Sequence, residues 1–449
     1  MNDQARSYIT VRQAAFIGVG SMVGAGIFSL LGAAGEIAGA AVWVSFALAG
    51  VIAGLQGYSF AKFGARYPSA GGMLEYVARG FGDGHFTRIT AWLVYAVNAI
   101  ITAMVASSFG SYASGAFAHG SATWTKVFAV LILLAMTMVN ILGSKLVARV
   151  QTVVVYVVIS ILLFFSVVTL LTMDPHLLAP SGYPPLRDIV SAVALTFFAF
   201  LGFGIVTFTA RDLKDASHEL PRAMYLALGI ATVVYIAVSL GVFGTLTVKE
   251  VIDSGGTAIA VAAEPVLGRA GYWLMAITAL FATSGATNAG LYPAQGLCDH
   301  LAQTKQFPPV MARRLWGRAS LGLLFVTVGC IVLVAGFNLD SIASIGSAVA
   351  LMVFALITVA HVRARAETGA SLSVLLIALV TIAVALVAFV VTELIHEPAS
   401  IVTLVVIVVL SAALDVVWTR RRGAMTGGGP SSAGAAPTAT VGAPNGGGS

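Results

Sequence analysis

The chain has 449 residues, of which 59% are hydrophobic and only 9% are charged, and its mean hydropathy is +0.96. Soluble domains carry roughly 25% charged residues, so this composition excludes a soluble globular protein and predicts an all-α polytopic membrane protein. The formal net charge of +6 does not indicate nucleic-acid binding, because the placement of the positive charges follows membrane topology. Two cysteines, Cys298 and Cys330, are too few for a disulfide framework or a thiolate metal site, and we expect no metal and no cofactor.

Twelve apolar segments are long enough to cross a bilayer, which takes about 20 helical residues. They are 13–35, 40–61, 89–112, 124–142, 150–172, 189–210, 223–246, 270–296, 319–336, 340–361, 372–394 and 399–418. Between the seventh and eighth segments, the short apolar stretch Thr257–Glu264 predicts a helix on the outer surface. Residues 1–12 form a short N-terminal segment, and the Gly-, Pro- and Ala-rich residues 419–449 are expected to be a disordered tail.

Lysine and arginine are unevenly distributed between the two sides of these spans. With the N-terminus inside, 20 of the 24 fall on the inner side, and the outer side keeps Lys126, Arg187, Lys249 and Arg269. This positive-inside asymmetry predicts an even number of spans, both termini in the cytoplasm, and location in the plasma (inner) membrane.

The first span contains Gly18-Val-Gly-Ser-Met-Val-Gly-Ala-Gly-Ile-Phe28, where a plain membrane helix would use Leu, Val or Ile. Glycine lacks the Cβ that restrains a helix, and open backbone in a bilayer is tolerated only beside protein or a water-filled cavity. The stretch predicts a helix broken in mid-membrane beside a polar guest. The alternative is close helix packing, because Gly20 and Gly24 have the small-xxx-small spacing.

The sixth span shows a second candidate break, because Gly202 and Gly204 flank Phe203 at its middle. Two glycine-broken helices at matching positions are typical of a transporter binding site. Half-helix N-termini attract an anion, and half-helix C-termini attract a cation. This pair of charges suits a zwitterion, and we expect an amino-acid substrate.

Three longer motifs and two weaker ones identify the chain as a member of a known superfamily. They are the first-span stretch Gly18–Phe28, then Tyr58-Ser-Phe-Ala-Lys-Phe-Gly-Ala-Arg-Tyr-Pro-Ser-Ala-Gly-Gly-Met-Leu-Glu-Tyr76, and Phe197–Gly202 followed by Glu219-Leu-Pro-Arg222, with weaker matches at Asn140–Lys145 and Asp340–Gly346. They resemble amino-acid permeases of the amino acid–polyamine–organocation (APC) superfamily, especially the branch with cationic amino acid transporters and related bacterial permeases. The resemblance covers roughly residues 10–365.

The resemblance implies a LeuT-type fold with two inverted five-helix repeats, 13–172 and 189–361, followed by two additional helices in 372–418. It also implies a secondary transporter that works by alternating access. By position, the amides of Gly24, Ala25 and Gly26 would bind the substrate carboxylate, and carbonyls of Met22, Phe198, Ala199 and Leu201 would bind its amino group. The adjoining residues Val23, Gly202, Phe203 and Gly204 complete the expected substrate site. Phe198 is either an aromatic lid or an ordinary core residue.

The coupling ion is left open between proton and sodium. Some proton-coupled relatives have a lysine in span five where this chain has Val158, and the usual arginine near the end of span eight is replaced by Gln295-Gly-Leu297. Candidate ion or pocket residues are Ser21, Asn98, Thr283, Ser284 and Thr287. Hydroxyls at such positions also bond to their own helix, and an asparagine such as Asn98 also joins neighbouring helices.

Ionisable groups are scarce within the predicted spans, and all seven histidines are placed in loops or at helix ends. Glu36 and Asp340 are placed at outer helix ends. A buried cationic side chain would need an acidic partner, and spans three, six, eight and ten have no acid at mid-membrane. We therefore expect a neutral substrate side chain.

Other function classes fit the sequence less well. An intramembrane enzyme needs a nucleophile–base pair or metal ligands at depth, so we expect no catalytic residues. A channel needs a continuous polar stripe or a charged ring. A transporter of amines or polyamines, a cationic amino acid transporter, and an exchanger without ion coupling stay open as alternatives. Besides its substrate and a coupled ion, the chain is expected to contact membrane lipid.

Overall fold

The computed structural model describes residues 8–67, 73–82, 84–142, 145–303, 307–316, 319–392 and 398–426. Part of the second-span motif, residues 68–72, and the greater part of the predicted tail, residues 427–449, lie outside this range. Side chains around Gln295 and that of Ala25 are also outside it.

The first half consists of helices joined by short connections. They are α1 (Val11–Ala25), α2 (Ile27–Ala38), α3 (Val42–Arg66), α4 (Met73–Phe81), α5 (His85–Phe117), α6 (Ala122–Leu142) and α7 (Lys145–Thr172). A capping box of Thr10 and Gln13 starts α1, because each side chain bonds to the other residue's backbone amide. Short 3₁₀ turns cover Gly39–Ala41, Pro175–Leu178 and Pro180–Gly182.

The second half begins with α8 (Leu186–Phe198) and a 3₁₀ segment, Leu201–Asp212. The elements that follow are α9 (Ala216–Phe243), α10 (Val248–Ser254), a 3₁₀ turn (Gly255–Thr257), α11 (Ala258–Gln303), a second 3₁₀ turn (Pro309–Ala312), an antiparallel hairpin of β1 (Arg314–Trp316) and β2 (Ala319–Ser320), α12 (Leu321–Gly336), α13 (Leu339–Thr368), α14 (Leu372–Thr392) and α15 (Pro398–Thr426). Helix α11 changes direction at Gly268, whose φ is +67°. The predicted surface helix is therefore the first part of α11, and α15 extends into the segment predicted as a tail.

The described residues contain ten helices long and apolar enough to cross a membrane. Each of the twelve predicted spans overlaps a helix, but α1 has 15 residues and α12 has 16, so neither reaches a full span by itself. The chain is thus a multi-pass helical membrane protein, and the number twelve and the inverted repeat stay predictions.

The helices share one continuous buried core. Helix α1 packs on α9 and on the 3₁₀ segment, and α3 packs on α9 and α8. On the other side, α5 packs on α6, α11 and α13. The apolar faces of α14 and α15 are exposed at valines such as Val384 and Val409, as expected of helices in contact with lipid.

Candidate functional site

The first helix interruption is at Gly26, between α1 and α2. Its backbone has φ −94° and ψ −78°, and its N–H donates to the Met22 carbonyl at 2.7 Å. The Gly26 carbonyl then accepts from the amides of Ser29 and Leu30 at 3.1 and 2.9 Å. One residue thus closes α1 and opens α2, so the interruption within the predicted stretch is narrow.

The second interruption follows Phe198, where α8 ends. Ala199 N donates to Thr196 O at 3.2 Å, and Phe200 N donates to Phe197 O at 2.9 Å. These bonds span three residues rather than four, and the chain continues as the 3₁₀ segment Leu201–Asp212. The α-helical winding therefore stops at the start of the motif that contains Gly202, Phe203 and Gly204.

The two interruptions contact each other directly. A Cβ added at Gly26 would lie 2.7 Å from the Ala199 carbonyl oxygen. A Cβ added at Gly202 would lie 2.6 Å from Met22 N and 2.8 Å from Ser21 Oγ. Both glycines are therefore required by the close approach of the two backbones, which brings Ser21, Met22 and Gly26 beside Ala199 and Gly202.

The remaining glycines of the first-span motif pack against other helices. A Cβ at Gly20 would lie 2.4 Å from Val155 Cγ2 on α7, and one at Gly24 would lie 2.6 Å from Ala282 O on α11. The motif thus combines both expectations from the sequence, because Gly20 and Gly24 permit close packing whereas Gly26 is the interruption.

Tyr235 of α9 is a polar residue of this region that the sequence analysis missed. Its side chain is fully buried, its hydroxyl donates to Ala199 O at 3.0 Å, and a Cβ at Gly26 would lie 2.5 Å from that hydroxyl. Tyr235 therefore touches both interruptions. A tyrosine in mid-span was the available signal, because its hydroxyl needs a partner in an apolar surrounding.

An aromatic wall closes the side of the second interruption. The Phe198 ring reaches α13 and α5, since a Cβ at Gly346 would lie 2.5 Å from Phe198 Cζ and 2.8 Å from Ile100 Cγ2. The Phe203 ring packs at 5.2 Å from the Phe60 ring, centroid to centroid. Phe198 is 3% exposed and is therefore buried, and its geometry is compatible with either predicted role.

Apart from Ser21 on α1, the candidate ion or pocket residues lie on α11 and α5. The hydroxyls of Thr283, Ser284 and Thr287 donate to carbonyls four residues earlier in α11, at 2.6, 2.6 and 2.8 Å. Asn98 Nδ2 donates to Gly290 O at 2.9 Å and so joins α5 to α11. Within the described residues, each of these groups thus has an ordinary structural bond.

A small cavity of about 20 Å³ lies between α1, α7 and α11. Its lining is largely apolar and is contributed by glycines, alanines and residues such as Val23, Val158 and Phe281. The volume corresponds to about one water molecule. Val158, where a lysine would stand in some relatives, is part of this apolar wall.

Charged residues are rare in the buried interior. Among the described side chains, the buried acidic and basic residues, with histidine counted among the basic ones, are Arg88, His361 and Asp415. The placement of every histidine at a loop or helix end is wrong for His361, which lies inside α13 and is fully buried. Glu36 and Asp340 are exposed, as expected of helix-end residues. The part of the chain that the structure describes has no cluster of three metal-ligating residues.

The chain was compared with known proteins. A family model described as amino acid permease matches residues 9–412. The inner membrane transport protein YbaT of Escherichia coli is 34% identical over 376 residues, which is 83% of this chain and 87% of that protein. The branched-chain amino acid permease BcaP of Bacillus subtilis is 28% identical over 50% of this chain and 51% of its own. The vacuolar cationic amino acid transporter 4 of Arabidopsis thaliana is 32% identical over 51% and 41%.

Among solved structures, a mutant manganese transporter from Eremococcus coleocola superposes with a TM-score of 0.61. The match covers 94% of this chain and 97% of that chain at 14% sequence identity. At this identity the likeness establishes a shared fold, and it gives no information about substrate.

The helical membrane fold defines the class, a multi-pass helical membrane protein. Within that class, the chain belongs to the amino acid permease family of the APC superfamily. Members of this family are transporters rather than enzymes.

Proposed function

We propose that the chain is a secondary active transporter that moves neutral amino acids across the plasma membrane by alternating access. The observation that supports this most is the direct contact between the two helix interruptions, at Gly26 and at Ala199. Two interrupted helices that meet provide a single place where main-chain dipoles can hold a small polar guest.

The amino-acid head is bound by backbone in this proposal. Helix α2 begins at Ile27, and its positive N-terminal end favours a carboxylate beside the amides of Gly24, Ala25 and Gly26. In the proposed cycle the Gly26 amide exchanges its bond to Met22 O for one to the substrate. Carbonyls at the end of α1 and α8, from Met22, Phe198, Ala199 and Leu201, favour the ammonium group. Val23 and the Gly202–Gly204 segment complete the wall, and Tyr235 holds the Ala199 carbonyl in place.

We infer a neutral substrate side chain from the scarcity of buried charged residues. Among described side chains, Asp415 is the buried acid, and it is paired with Arg88 on α5, with 2.5 Å between Oδ1 and Nε. The residues that contact the second interruption on the substrate-facing side, such as Phe198, Ile100 and Gly346, are apolar. A cationic side chain would have no acidic partner there, and burying it unpaired is costly.

The relatives are named for two different substrate classes, neutral and cationic amino acids. BcaP is named for branched-chain amino acids, which agrees with a neutral substrate, whereas the Arabidopsis relative is named for cationic ones. The absence of a buried acid beside the interruptions, within the described residues, favours the first class. The cationic class and the amines remain the outcomes that a transport assay has to exclude.

Alternating access requires that the interrupted helices move against the rest. In the proposed arrangement, two inverted repeats, 13–172 and 189–361, each contribute one interrupted helix, and both termini face the cytoplasm. Substrate binding neutralises the helix ends at the two interruptions, and the α1–α8 group then rocks about that site.

The test is uptake of labelled alanine by proteoliposomes, competed by a panel of neutral amino acids, arginine, lysine and putrescine. We expect neutral amino acids to compete and the cations to fail. Tight binding of arginine or lysine that neutral amino acids do not displace would overturn the neutral assignment. Competition by putrescine would show that the carboxylate is not required, and the amine alternative would replace the proposal.

A further inference from the structure

One buried imidazole lies about two helical turns along α13 from Phe354, whose ring packs on that of Phe203. His361 is fully buried, and its Nε2 lies 2.9 Å from Thr368 Oγ1. Its Nδ1 is buried without a hydrogen-bond partner. Of the histidines whose side chains the structure describes, His361 is the one that is buried.

The imidazole lies in the seam between α3 and α13. We define the α3–α13 seam by Gln56, Ser59 and Phe63 on α3 and by Thr358 and His361 on α13. Thr358 Oγ1 donates to Gln56 Oε1 at 2.7 Å, and the rings of Phe63 and His361 have centroids 4.3 Å apart. These two contacts fix which faces of the helices meet.

The seam contains a second buried polar group without a partner. Ser59 is fully buried, and its Oγ has no hydrogen bond. Positions 56, 59 and 63 have helical spacing and share one face of α3, so the hydroxyl lies between the two residues that touch α13. Buried groups left without a bond are costly and rare, and two of them in one seam indicate a function other than packing.

The electrostatic surroundings of the imidazole are positive and aromatic. Lys62 on α3 acts on it electrostatically, and the Lys62 ammonium lies 5.9 Å from the centre of the Tyr58 ring. The Tyr58 and His361 rings are 6.3 Å apart, centroid to centroid. Helix α14, which packs on α13, has no titratable side chain in Leu372–Thr392.

The carboxylates on the other neighbouring elements already have partners. On α4, Glu75 pairs with Arg79 at 3.2 Å, and Tyr76 stacks on Phe63. On α13 itself, Glu367 accepts the Tyr67 hydroxyl, while Arg363 lies over Phe81 and Arg365 is exposed. Between α15 and α5, Asp415 is held by Arg88 and His85. Within the described residues no carboxylate forms an ion pair with His361, so an imidazolium in the closed seam would face Lys62 and would lack the hydration that stabilises its charge.

The seam also separates helices that alternating access would move apart. Helix α3 packs chiefly on α9, which touches both interruptions through Tyr235, whereas α13 packs on α5. Around the seam lie Lys62, Arg66, Arg79, Arg363 and Arg365, which we call the basic end. Opening the seam there would let water reach Ser59 and His361 together.

We propose that His361 is a proton-binding site that is exposed when the α3–α13 seam opens at the basic end, so that protons on that side favour the open seam. This inference rests on the proposed function, because it assigns the seam to the transport cycle. The ligand is the proton itself, which binds to the imidazole nitrogen that has no partner in the closed seam.

The first experiment measures opening without substrate. A Ser59→Cys variant is labelled with a hydrophilic thiol reagent at about pH 5.5 and about pH 7.5, the range in which histidine titrates. The two native cysteines are buried, and an exposed Ser371→Cys variant corrects for the pH dependence of the thiol reaction. We expect the corrected labelling rate to rise several-fold at the lower pH, and to lose this rise when His361→Gln is added.

The second experiment measures the pH response of uptake. We expect the uptake rate of the His361→Gln variant to depend less on the pH of the solution that bathes the basic end. Lys62→Gln should move the midpoint to higher pH, since removing a neighbouring positive charge favours the imidazolium. His218→Gln is the control: this histidine is exposed beside Asp215, where hydrogen bonds from Ser217 and then His218 hold the pKa of the Asp215 carboxyl below its usual range.

Three results would overturn the proton site. They are a corrected labelling rate of Ser59→Cys that does not change with pH, an unaltered pH response in His361→Gln, and a midpoint that moves to lower pH in Lys62→Gln. If His361→Gln fails to fold, His361→Phe keeps an aromatic ring against Phe63 and still cannot bind a proton. A protein that keeps the labelling response but transports no amino acid would contradict the permease proposal and leave the proton site standing.

Discussion

At the two interruptions, side-chain volume limits what each position tolerates. A Cβ at Gly26 would come within 2.5 Å of the Tyr235 hydroxyl and 2.7 Å of Ala199 O, and one at Gly202 within 2.6 Å of Met22 N. Two of these three neighbours are backbone atoms, which cannot rotate away as a flexible side chain would. The contact between the interrupted helices therefore depends on glycine at both places.

Replacing Gly26 by leucine should abolish uptake while the protein still folds and inserts. The added side chain would push apart α2 and the end of α8, and the proposed backbone site would be lost. Uptake by proteoliposomes, together with size-exclusion chromatography of the purified variant, measures both parts of this expectation. Gly229→Leu on α9 is the control, because Gly229 is exposed and a Cβ there meets nothing within 4 Å. Unchanged uptake by the Gly26 variant would count heavily against the assigned site.

Tyr235→Phe should weaken substrate binding with little change in volume. The hydroxyl is the donor to the Ala199 carbonyl, and its loss leaves that carbonyl without this bond. A lost partner of a buried group costs about 1–3 kcal/mol, and we expect the KM for uptake to rise about tenfold, which corresponds to about 1.4 kcal/mol. Tyr225→Phe on the same helix, at a side chain that is 43% exposed, should leave KM unchanged. Equal KM values for the two variants would contradict a role for Tyr235 in holding Ala199.

At the level of secondary-structure elements, the lengths of the apolar segments and the placement of the glycines predicted where the helices lie. Every predicted span overlaps a helix, because a segment in lipid must satisfy its own backbone and the helix does so internally. The sequence did not show at which residue each helix is interrupted. The α1–α2 interruption is a single residue, and its position is set by Tyr235 and Ala199, which are far away in the chain.

The last helix lies beyond the motif residues that carry the family resemblance, yet it contains a buried ion pair. Asp415 of α15 is 1% exposed and lies 2.5 Å from Arg88 Nε, and its second oxygen lies 2.5 Å from His85 Nδ1. Both partners are on the first turn of α5. A lone acid near the end of an apolar segment gives no sign of its partner when that partner is more than 300 positions away.

Asp415→Asn should destabilise the contact between α15 and α5. Removing the carboxylate of Asp415 breaks its buried ion pair with Arg88, and breaking such a pair costs about 3–5 kcal/mol. Thermal unfolding in detergent should show a clear fall in midpoint. The control is Glu75→Gln, whose pair with Arg79 is 27% and 46% exposed and should contribute at most about 1 kcal/mol. Equal midpoints for both variants would show that the Asp415–Arg88 pair does not stabilise the helix contact.

For the whole molecule, the sequence was sufficient for membrane embedding and for the superfamily, because both depend on composition and on local motifs. It was insufficient for groups that become neighbours only through packing. Tyr235 meets Gly26, and His361 meets Phe63, through contacts between separate helices. The same limit explains why His361 was assigned to a helix end, since hydropathy does not show which face of α13 is buried. The substrate role of the two interruptions stays a proposal.

Ion coupling is a property of the whole transport cycle, and we expect transport that does not require sodium. A sodium ion needs several oxygen ligands at once, as hard cations do. The candidate hydroxyls of Thr283, Ser284 and Thr287 are directed at their own helix carbonyls. The adjoining cavity of about 20 Å³ is lined by groups such as Val23, Val158 and Phe281.

Uptake of a neutral amino acid should therefore change by less than about twofold when choline replaces sodium on both sides of the proteoliposome, because the largely apolar wall is a poor replacement for the hydration shell of a cation. Initial rates at a fixed pH on each side measure this without interference from a proton gradient. Thr283→Val is the matched variant, since it keeps the shape of the side chain and removes the hydroxyl. We expect its rate to be the same in sodium and in choline. Uptake that requires an inward sodium gradient, and that loses this requirement in Thr283→Val, would place a sodium ion at α11 and refute the expectation.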